Sequence, residues 1–250
     1  AMPKVDVVYH LAAAPWGTAW PDEYIRTNVM GTLRALELAR AHRARFVLAS
    51  SQIIYGAPHS TPQHEYDILR PFSPYGWSKL LAERLVEHFH AVDGLDAVVL
   101  RFANIYGPGQ EMQRALLPDI WFKLQREGAR PLRLEGTGRE TRDFIYIWDA
   151  VQAYLAMLGP AYLPWRHYNV GTGIATPVHS IVQRFIEAAG LQAPWAVEFS
   201  GRLNPNDAIE ELPRALDWSR LGALGWKPTI GLHEGLALTV QAWSKNKTLS

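Results

Sequence analysis

Three short apolar runs most constrain this chain: Val5-Asp-Val-Val-Tyr-His-Leu11, Arg45-Phe-Val-Leu-Ala-Ser50 and Asp96-Ala-Val-Val-Leu-Arg101. Each has the length and residue types of a strand. The stretches between them have helical period. One helix is expected over 22–41, opened by Pro21 and Asp22, with an apolar stripe at Val29, Leu33, Leu36 and Leu38. Another is expected over 74–92. Residues 55–73, rich in Pro, His and Ser, read as a surface loop. Strands separated by helices of this length imply a parallel sheet with right-handed crossovers.

The first run reads as a strand buried on both faces, as in the middle of a parallel sheet. A central strand needs a neighbour on each side. Only four residues precede this one, whereas a βαβ unit takes about 30. An upstream portion is therefore expected to be absent from the sequence. From about Gly107 the pattern changes. Gly/Pro clusters at 107–109, 136–138, 159–160 and 171–173 lengthen the loops, and helices are expected near 116–127, 147–158, 177–189 and 232–243. Residues 1–106 read as the main sheet domain. Residues 107–250 read as a smaller α+β lobe interleaved with the last strands of the sheet.

At 250 residues and 48% hydrophobic, the chain can bury a sizeable core, which excludes a disordered protein. A formal net charge of +1 gives no field toward nucleic acid or acidic membranes. No apolar stretch approaches the roughly 18 residues of a membrane span. Without cysteine there is no thiolate zinc site and no disulfide. The nine histidines lack metal-ligand spacing, and His88 and His90 point to different helix faces, so no metal is expected. The ten tryptophans read as core or interface, Trp16 being the exception, placed near the site by its position. Asn246-Lys-Thr248 matches a glycosylation sequon, a pattern that recurs by chance.

The chemistry concentrates in Ser50-Ser51, at the end of a strand, and Tyr75-Gly-Trp-Ser-Lys79, at the start of a helix. Tyr75 and Lys79 are four apart and share a helix face. An ammonium near a phenol favours phenolate and should lower the Tyr75 pKa from about 10. A serine at the C-terminal end of a parallel strand lies where such sheets bind ligands. Together these groups can take a proton from an alcohol while hydride leaves the same carbon.

The chain resembles the extended short-chain dehydrogenases/reductases of the NAD-dependent nucleotide-sugar epimerase/dehydratase family, in particular UDP-glucose 4-epimerases. The resemblance is carried by Val8-Tyr-His-Leu-Ala-Ala13, Thr27-Asn-Val-Met-Gly-Thr32, Ala49-Ser-Ser-Gln-Ile-Ile-Tyr-Gly56, Ser73-Pro-Tyr-Gly-Trp-Ser-Lys79 and Leu100-Arg-Phe-Ala-Asn-Ile-Tyr-Gly-Pro108, with further matches at 136–146 and 168–173. It implies a Rossmann-like α/β fold with a substrate lobe, NAD as cofactor, a UDP- or dTDP-hexose as substrate, a homodimer and a cytoplasmic location. It makes Tyr75 the general base and acid, with Lys79 holding the nicotinamide ribose and biasing Tyr75 toward phenolate. Ser51 would bond the reacting sugar oxygen, with Ser50 in support. Leu11, Ala12, Ala13 and Asn28 would line the nicotinamide side. Asn104 would touch the substrate diphosphate, Arg142 and Arg202 would pair with phosphate, and Leu117 would flank the nucleotide base. Blander roles compete: Asn28 as a loop tether, Asn104 as a turn residue, Arg142 in a surface ion pair with Asp143.

Two departures stand out. Family members begin with a strand, a Gly-x-x-Gly-x-x-Gly turn and a helix that holds the pyrophosphate. The sequence has no such turn. Gly171-Thr-Gly173 comes nearest, but Thr176 occupies the third glycine position. The expectation is a fragment of a chain of roughly 310 residues, with a shortened inactive relative, or completion of the sheet by another chain, as alternatives. The second departure concerns Gln52 and Ile53. Dehydratases of the family carry Asp-Glu at these positions, and decarboxylases carry a Glu; neither residue here is an acid or base. The pattern suits a 4-epimerase. The alternatives are a reductase or dehydrogenase of a nucleotide sugar using the same triad, and a non-catalytic binding or scaffold relative.

Overall fold

A computed structural model describes residues 4–15, 17, 21–110, 115–125, 131–159, 167–191, 196–202 and 213–245. Trp16 and the 246–248 sequon lie outside them. The first half runs β1 (Val7–His10), α1 (Pro21–Tyr24), a π-helical turn (Ile25–Met30), α2 (Gly31–His42), β2 (Arg45–Ser51), a 3-10 turn (Gln52–Tyr55), α3 (Pro74–Asp93) and β3 (Ala97–Phe102). The second half begins with β4 (Asn104–Tyr106), α4 (Leu116–Gln125), β5 (Leu132–Leu134), β6 (Thr141–Arg142), β7 (Phe144–Tyr146) and α5 (Ile147–Ala156). It continues through β8 (His167–Val170), β9 (Thr176–Pro177), α6 (Val178–Ala188), β10 (Val197–Phe199), α7 (Ser219–Gly222) and α8 (Leu232–Lys245).

The main sheet has the order β1-β2-β3-β8, and every pair is parallel. β3 is buried at all six positions, as an inner strand of a parallel sheet covered by helices should be. The later chain thus returns to the main sheet through β8. It also forms three two-stranded pieces: β4 with β7, β5 with β10, and β6 with β9.

The first strand corrects one expectation. It is not buried on both faces: Val7, Val8 and His10 are half-buried and Tyr9 is 37% exposed. Among the described residues β1 pairs only with β2, so one of its hydrogen-bonding edges is unpaired, while Val7 packs toward the α5 side of the sheet and Val8 toward the α2/α3 side.

Local chemistry explains the two elements that build the site. The α3 helix starts cleanly: the Ser73 hydroxyl accepts the Gly76 N–H at 3.1 Å, and Pro74 occupies the first turn. It ends at Gly94, whose φ of 67° is left-handed. β2 ends in the 3-10 turn because the Ser51 hydroxyl caps it, accepting the Ile53 N–H at 3.4 Å. Gly56 then turns the chain at φ 71°; a Cβ there would lie 2.0 Å from the Arg70 carbonyl oxygen, so only glycine fits.

Three apolar clusters hold the molecule. One lies on the α2/α3 side of the sheet, around Leu36, Phe46, Leu48, Val86 and Phe89. A second lies on the α5 side, around Val98, Leu100, Ile145, Met157 and Tyr168. The third belongs to the later chain, around Leu117, Trp121, Ile181, Phe185 and Trp243. Among the described residues no helix is long and apolar enough to cross a membrane, and no three His, Asp or Glu side chains cluster as a metal site.

Candidate active site

The C-terminal ends of β1, β2 and β3 open into a cleft of about 980 Å³. In an open parallel sheet this is the ligand-binding edge. Leu11, Ala13 and Pro15 line it after β1, Ser51 and Gln52 after β2, and Ala103 and Asn104 after β3. Tyr75 and Lys79 enter from α3, and Leu117, Arg142 and Arg214 from the later chain.

The Ser51 and Tyr75 hydroxyls are hydrogen-bonded, and the Tyr75 ring packs against Tyr24 with centroids 5.8 Å apart. Burial pushes the Tyr75 phenol up to about 12; Tyr24 adds to the rise and the Ser51 bond opposes it. This corrects the expectation of a lowered Tyr75 pKa in the chain by itself. The physical reason is burial of the phenol, which the Lys79 ammonium does not offset. That ammonium lies 5.8 Å from the centre of the Tyr75 ring and donates to the Ala49 carbonyl at 3.0 Å. Burial lowers Lys79 itself to about 8, against the pull of the Glu83 carboxylate. An ammonium has three protons, and the Ala49 bond uses one, so the group retains donors for ribose hydroxyls.

Ser50 faces inward: its hydroxyl donates to Glu83. Asn28 is 2% exposed, and its side chain is engaged within the protein. Its Oδ1 accepts the Ala14 N–H at 2.7 Å and its Nδ2 donates to the Ser78 hydroxyl at 2.8 Å. Ser78 in turn donates to the Tyr75 carbonyl. Asn28 therefore tethers the 11–15 loop to the first turn of α3. Leu11 lines the cleft at 57% exposure, and Ala12 is exposed beside it.

On the substrate side, Asn104 lines the cleft and its Nδ2 donates to the Asp143 carbonyl at 3.0 Å. Leu117 is buried on α4 and forms part of the wall. Arg142 lines the cleft and donates to its own neighbour's carbonyl, Thr141, at 2.8 Å. Arg202 is placed differently: it is exposed and does not itself line the cleft, but its carbonyl accepts the N–H of the cleft-lining Gly136 at 3.1 Å.

Several residues were missed by sequence reasoning. Arg214 is 3% exposed, lines the cleft and donates to the Gly56 carbonyl at 3.1 Å. Gln52 was not missed, since it departs from the family pattern; it is 5% exposed, and its Oε1 is enclosed without a hydrogen-bond partner. Glu83 and Arg101 form a buried pair beneath the triad. One signal could have found that pair: Arg101 ends an otherwise apolar strand, where a buried guanidinium requires a carboxylate partner.

The model of the family described as "NAD dependent epimerase/dehydratase family" matches residues 1–171. The chain belongs to that family. The epimerase/dehydratase relatives include a UDP-glucose 4-epimerase from Mycolicibacterium smegmatis, 32% identical over 98% of this chain and 78% of its own length. They also include UDP-glucuronic acid decarboxylase 1 from Arabidopsis thaliana, 32% identical over 99% of this chain and 57% of its own. Among solved structures, the UDP-glucose 4-epimerase of Thermotoga maritima with UDP-glucose superposes with a TM-score of 0.85 at 28% identity. That match covers 97% of this chain and 78% of the other. The epimerase/dehydratase fold is therefore Rossmann-like α/β, and the family's cofactor is NAD. The donor set at the Leu11–Tyr75–Lys79 end fits the nicotinamide riboside: an apolar wall, an ammonium and a phenol converge there.

Proposed function

We propose that this chain is the catalytic and substrate-binding part of a nucleotide-sugar 4-epimerase acting on a UDP- or dTDP-hexose. Residues 1–106 belong to the NAD-binding domain, and 107–250 form mainly the substrate lobe. One observation carries the reading: Tyr75, bonded to Ser51 beside Lys79, is the cleft's proton-transfer group, and the two positions after Ser51 hold Gln52 and Ile53 rather than acids. Among the described residues, the carboxylates that line the cleft are committed elsewhere. Asp119 pairs with Lys123, Glu135 accepts Ser200, and Glu140 accepts Thr137. Elimination or decarboxylation would need an additional acid or base at the sugar.

When bound, NAD takes up and gives back the hydrogen on C4, so the reaction is redox-neutral. Tyr75 takes the proton of the C4 hydroxyl, and Ser51 holds that oxygen as it becomes a carbonyl. Leu11, Ala12, Ala13 and Asn28 shape the nicotinamide side, with Ser50 in support of Ser51. The keto-sugar turns over in the cleft, and Tyr75 returns the proton to the same oxygen. Asn104 and Arg142, with Arg202 from the rim, bind the diphosphate, and Leu117 flanks the base. Ile25, Met30, Trp77 and Leu81, all exposed apolar residues on the first helix and α3, support pairing of two copies.

The test incubates the chain with NAD and UDP- or dTDP-hexoses and follows sugar isomers against net NADH. Isomers without net NADH are expected. Net NADH without isomers would reject epimerisation in favour of a dehydrogenase. An NAD-dependent rise in melting temperature is also expected; its absence, with no turnover, would leave a binding or scaffold protein.

A further inference from the structure

Beneath the cleft lies a cluster of buried charges that proton transfer does not itself use. Glu83 and Arg101 side chains are each 2% exposed and pair at 2.8 Å. Arg101 Nε also donates to Glu83, at 3.2 Å, and its Nη1 donates to the Tyr55 hydroxyl and the Glu65 carbonyl. Burial works against the Arg101 charge, but Glu83 more than offsets it and holds the guanidinium above its usual range. Glu83 Oε1 also accepts the Ser50 hydroxyl. One helical turn back, Lys79 donates to Ala49, the neighbour of Ser50. The end of β2 is thus held to α3 by two adjacent residues, one on each side of the turn.

We infer that Glu83 is a positioning residue for this site: it fastens the end of β2 to α3 through Ser50 and keeps the Lys79 ammonium charged from one turn away. The inference rests on the epimerase reading for the task it gives Lys79. A buried cation loses its proton unless a negative charge faces it. The groups facing Lys79 are His10 on β1, the Ala49 carbonyl on β2, and Tyr75 and Glu83 on its own helix. Those facing Glu83 are Ser50 on β2, Arg101 on β3 and His167 on β8, whose Nε2 lies 3.6 Å away. Burial holds the His167 imidazole down to about 4, so it carries no charge near neutral pH. Glu65 turns its carboxylate to the Asn169 N–H. Glu83 is therefore the negative charge that serves two buried cations. With an amide in its place, Arg101 and Lys79 would repel one another.

The test is an NMR titration of the Lys79 ammonium in the chain alone, without cofactor or sugar. In Glu83→Gln the midpoint is expected to fall by about one pH unit or more relative to wild type. A folded Glu83→Gln with an unmoved midpoint would overturn the inference, even if its melting temperature dropped, because that drop is all a structural role requires. Should the single variant not fold, E83Q/R101M removes both buried charges; a smaller fall is expected, and no fall is fatal. Ser50→Ala cuts the tie to β2 and keeps the ion pair. It should leave the midpoint in place and speed amide exchange at residues 51–53; unchanged exchange removes the fastening role. If the wild type fails to interconvert sugars, the epimerase reading falls while this titration still stands or fails by itself.

Discussion

At the scale of the residue, the proposed site rests on two groups that burial moves in opposite directions. The Tyr75 phenol rises to about 12 and the Lys79 ammonium falls to about 8. Both shifts favour the neutral form, as desolvation does. Lys79 is charged below about pH 8 and neutral above it. Activity that needs the ammonium is therefore present below that value and lost as pH rises through it; a profile of kcat/KM against pH should show this falling limb. Tyr75→Phe keeps the ring against Tyr24 and removes the proton carrier. Turnover should drop by about 10²–10⁴-fold with an unchanged melting temperature. Retained activity would refute the base. The convergence of Ser51, Tyr75 and Lys79 on one cleft was readable in sequence because a four-residue spacing on one helix and a serine closing a strand fix their own geometry. Glu83 with Arg101, and Arg214 with Gly56, were not, because each pairing depends on how distant segments pack.

At the scale of the element, the first helix shows why a periodic pattern can mislead. A stripe at Val29, Leu33, Leu36 and Leu38 follows from 3.6 residues per turn. The buried face is instead Asn28, Thr32, Leu36 and Ala39. The π-helical turn at Ile25–Met30 widens the helix there, and π turns are frequent at functional sites. Two of the four buried positions are polar, and a hydrophobicity pattern passes over them. They are satisfied locally: Thr32 donates to the Asn28 carbonyl, and Asn28 bonds Ala14 and Ser78. Asn28→Ala would leave the Ala14 N–H and the Ser78 hydroxyl without this partner. A loss of about 1–3 kcal/mol in denaturant unfolding is expected, with weaker NAD binding as the 11–15 loop loosens. Equal NAD affinity in the variant would remove the tether from the site. The strands and longer helices were legible to within a few residues, as apolar runs and capped segments should be. The unpaired edge of β1 agrees with the sequence, in which too few residues precede this strand to supply a second neighbour.

At the scale of the whole molecule, one aspartate joins segments that sequence separates. Asp143 is fully buried. Its carboxylate accepts the Thr172 N–H at 2.9 Å, the Thr172 hydroxyl at 2.6 Å, the Gly173 N–H at 3.1 Å and the Leu216 N–H at 3.1 Å. It therefore pins the β8 exit and the 214–216 segment to the β6–β7 corner that carries Arg142. In Asp143→Asn, an NH₂ would confront these donors, and a loss of about 2–4 kcal/mol is expected by urea unfolding. A smaller loss would mean the hub is dispensable. From the sequence, a surface pair with Arg142 was only the competing reading for Asp143; the fold turns its side chain inward.

The two ties from α3 to the end of β2 bear on how the protein fails. Ser51 is the last residue of a strand paired along β3, the most enclosed strand of the sheet. Tyr75 and Lys79 stand on the helix fastened to it. Nothing in that arrangement lets the catalytic groups come apart while the sheet survives. Amides of residues 49–51 should exchange at the rate of global unfolding, and heat or protease should erase activity and native structure along one time course. A partly opened form of this protein would be inert, with no half-active species between the working enzyme and the unfolded chain.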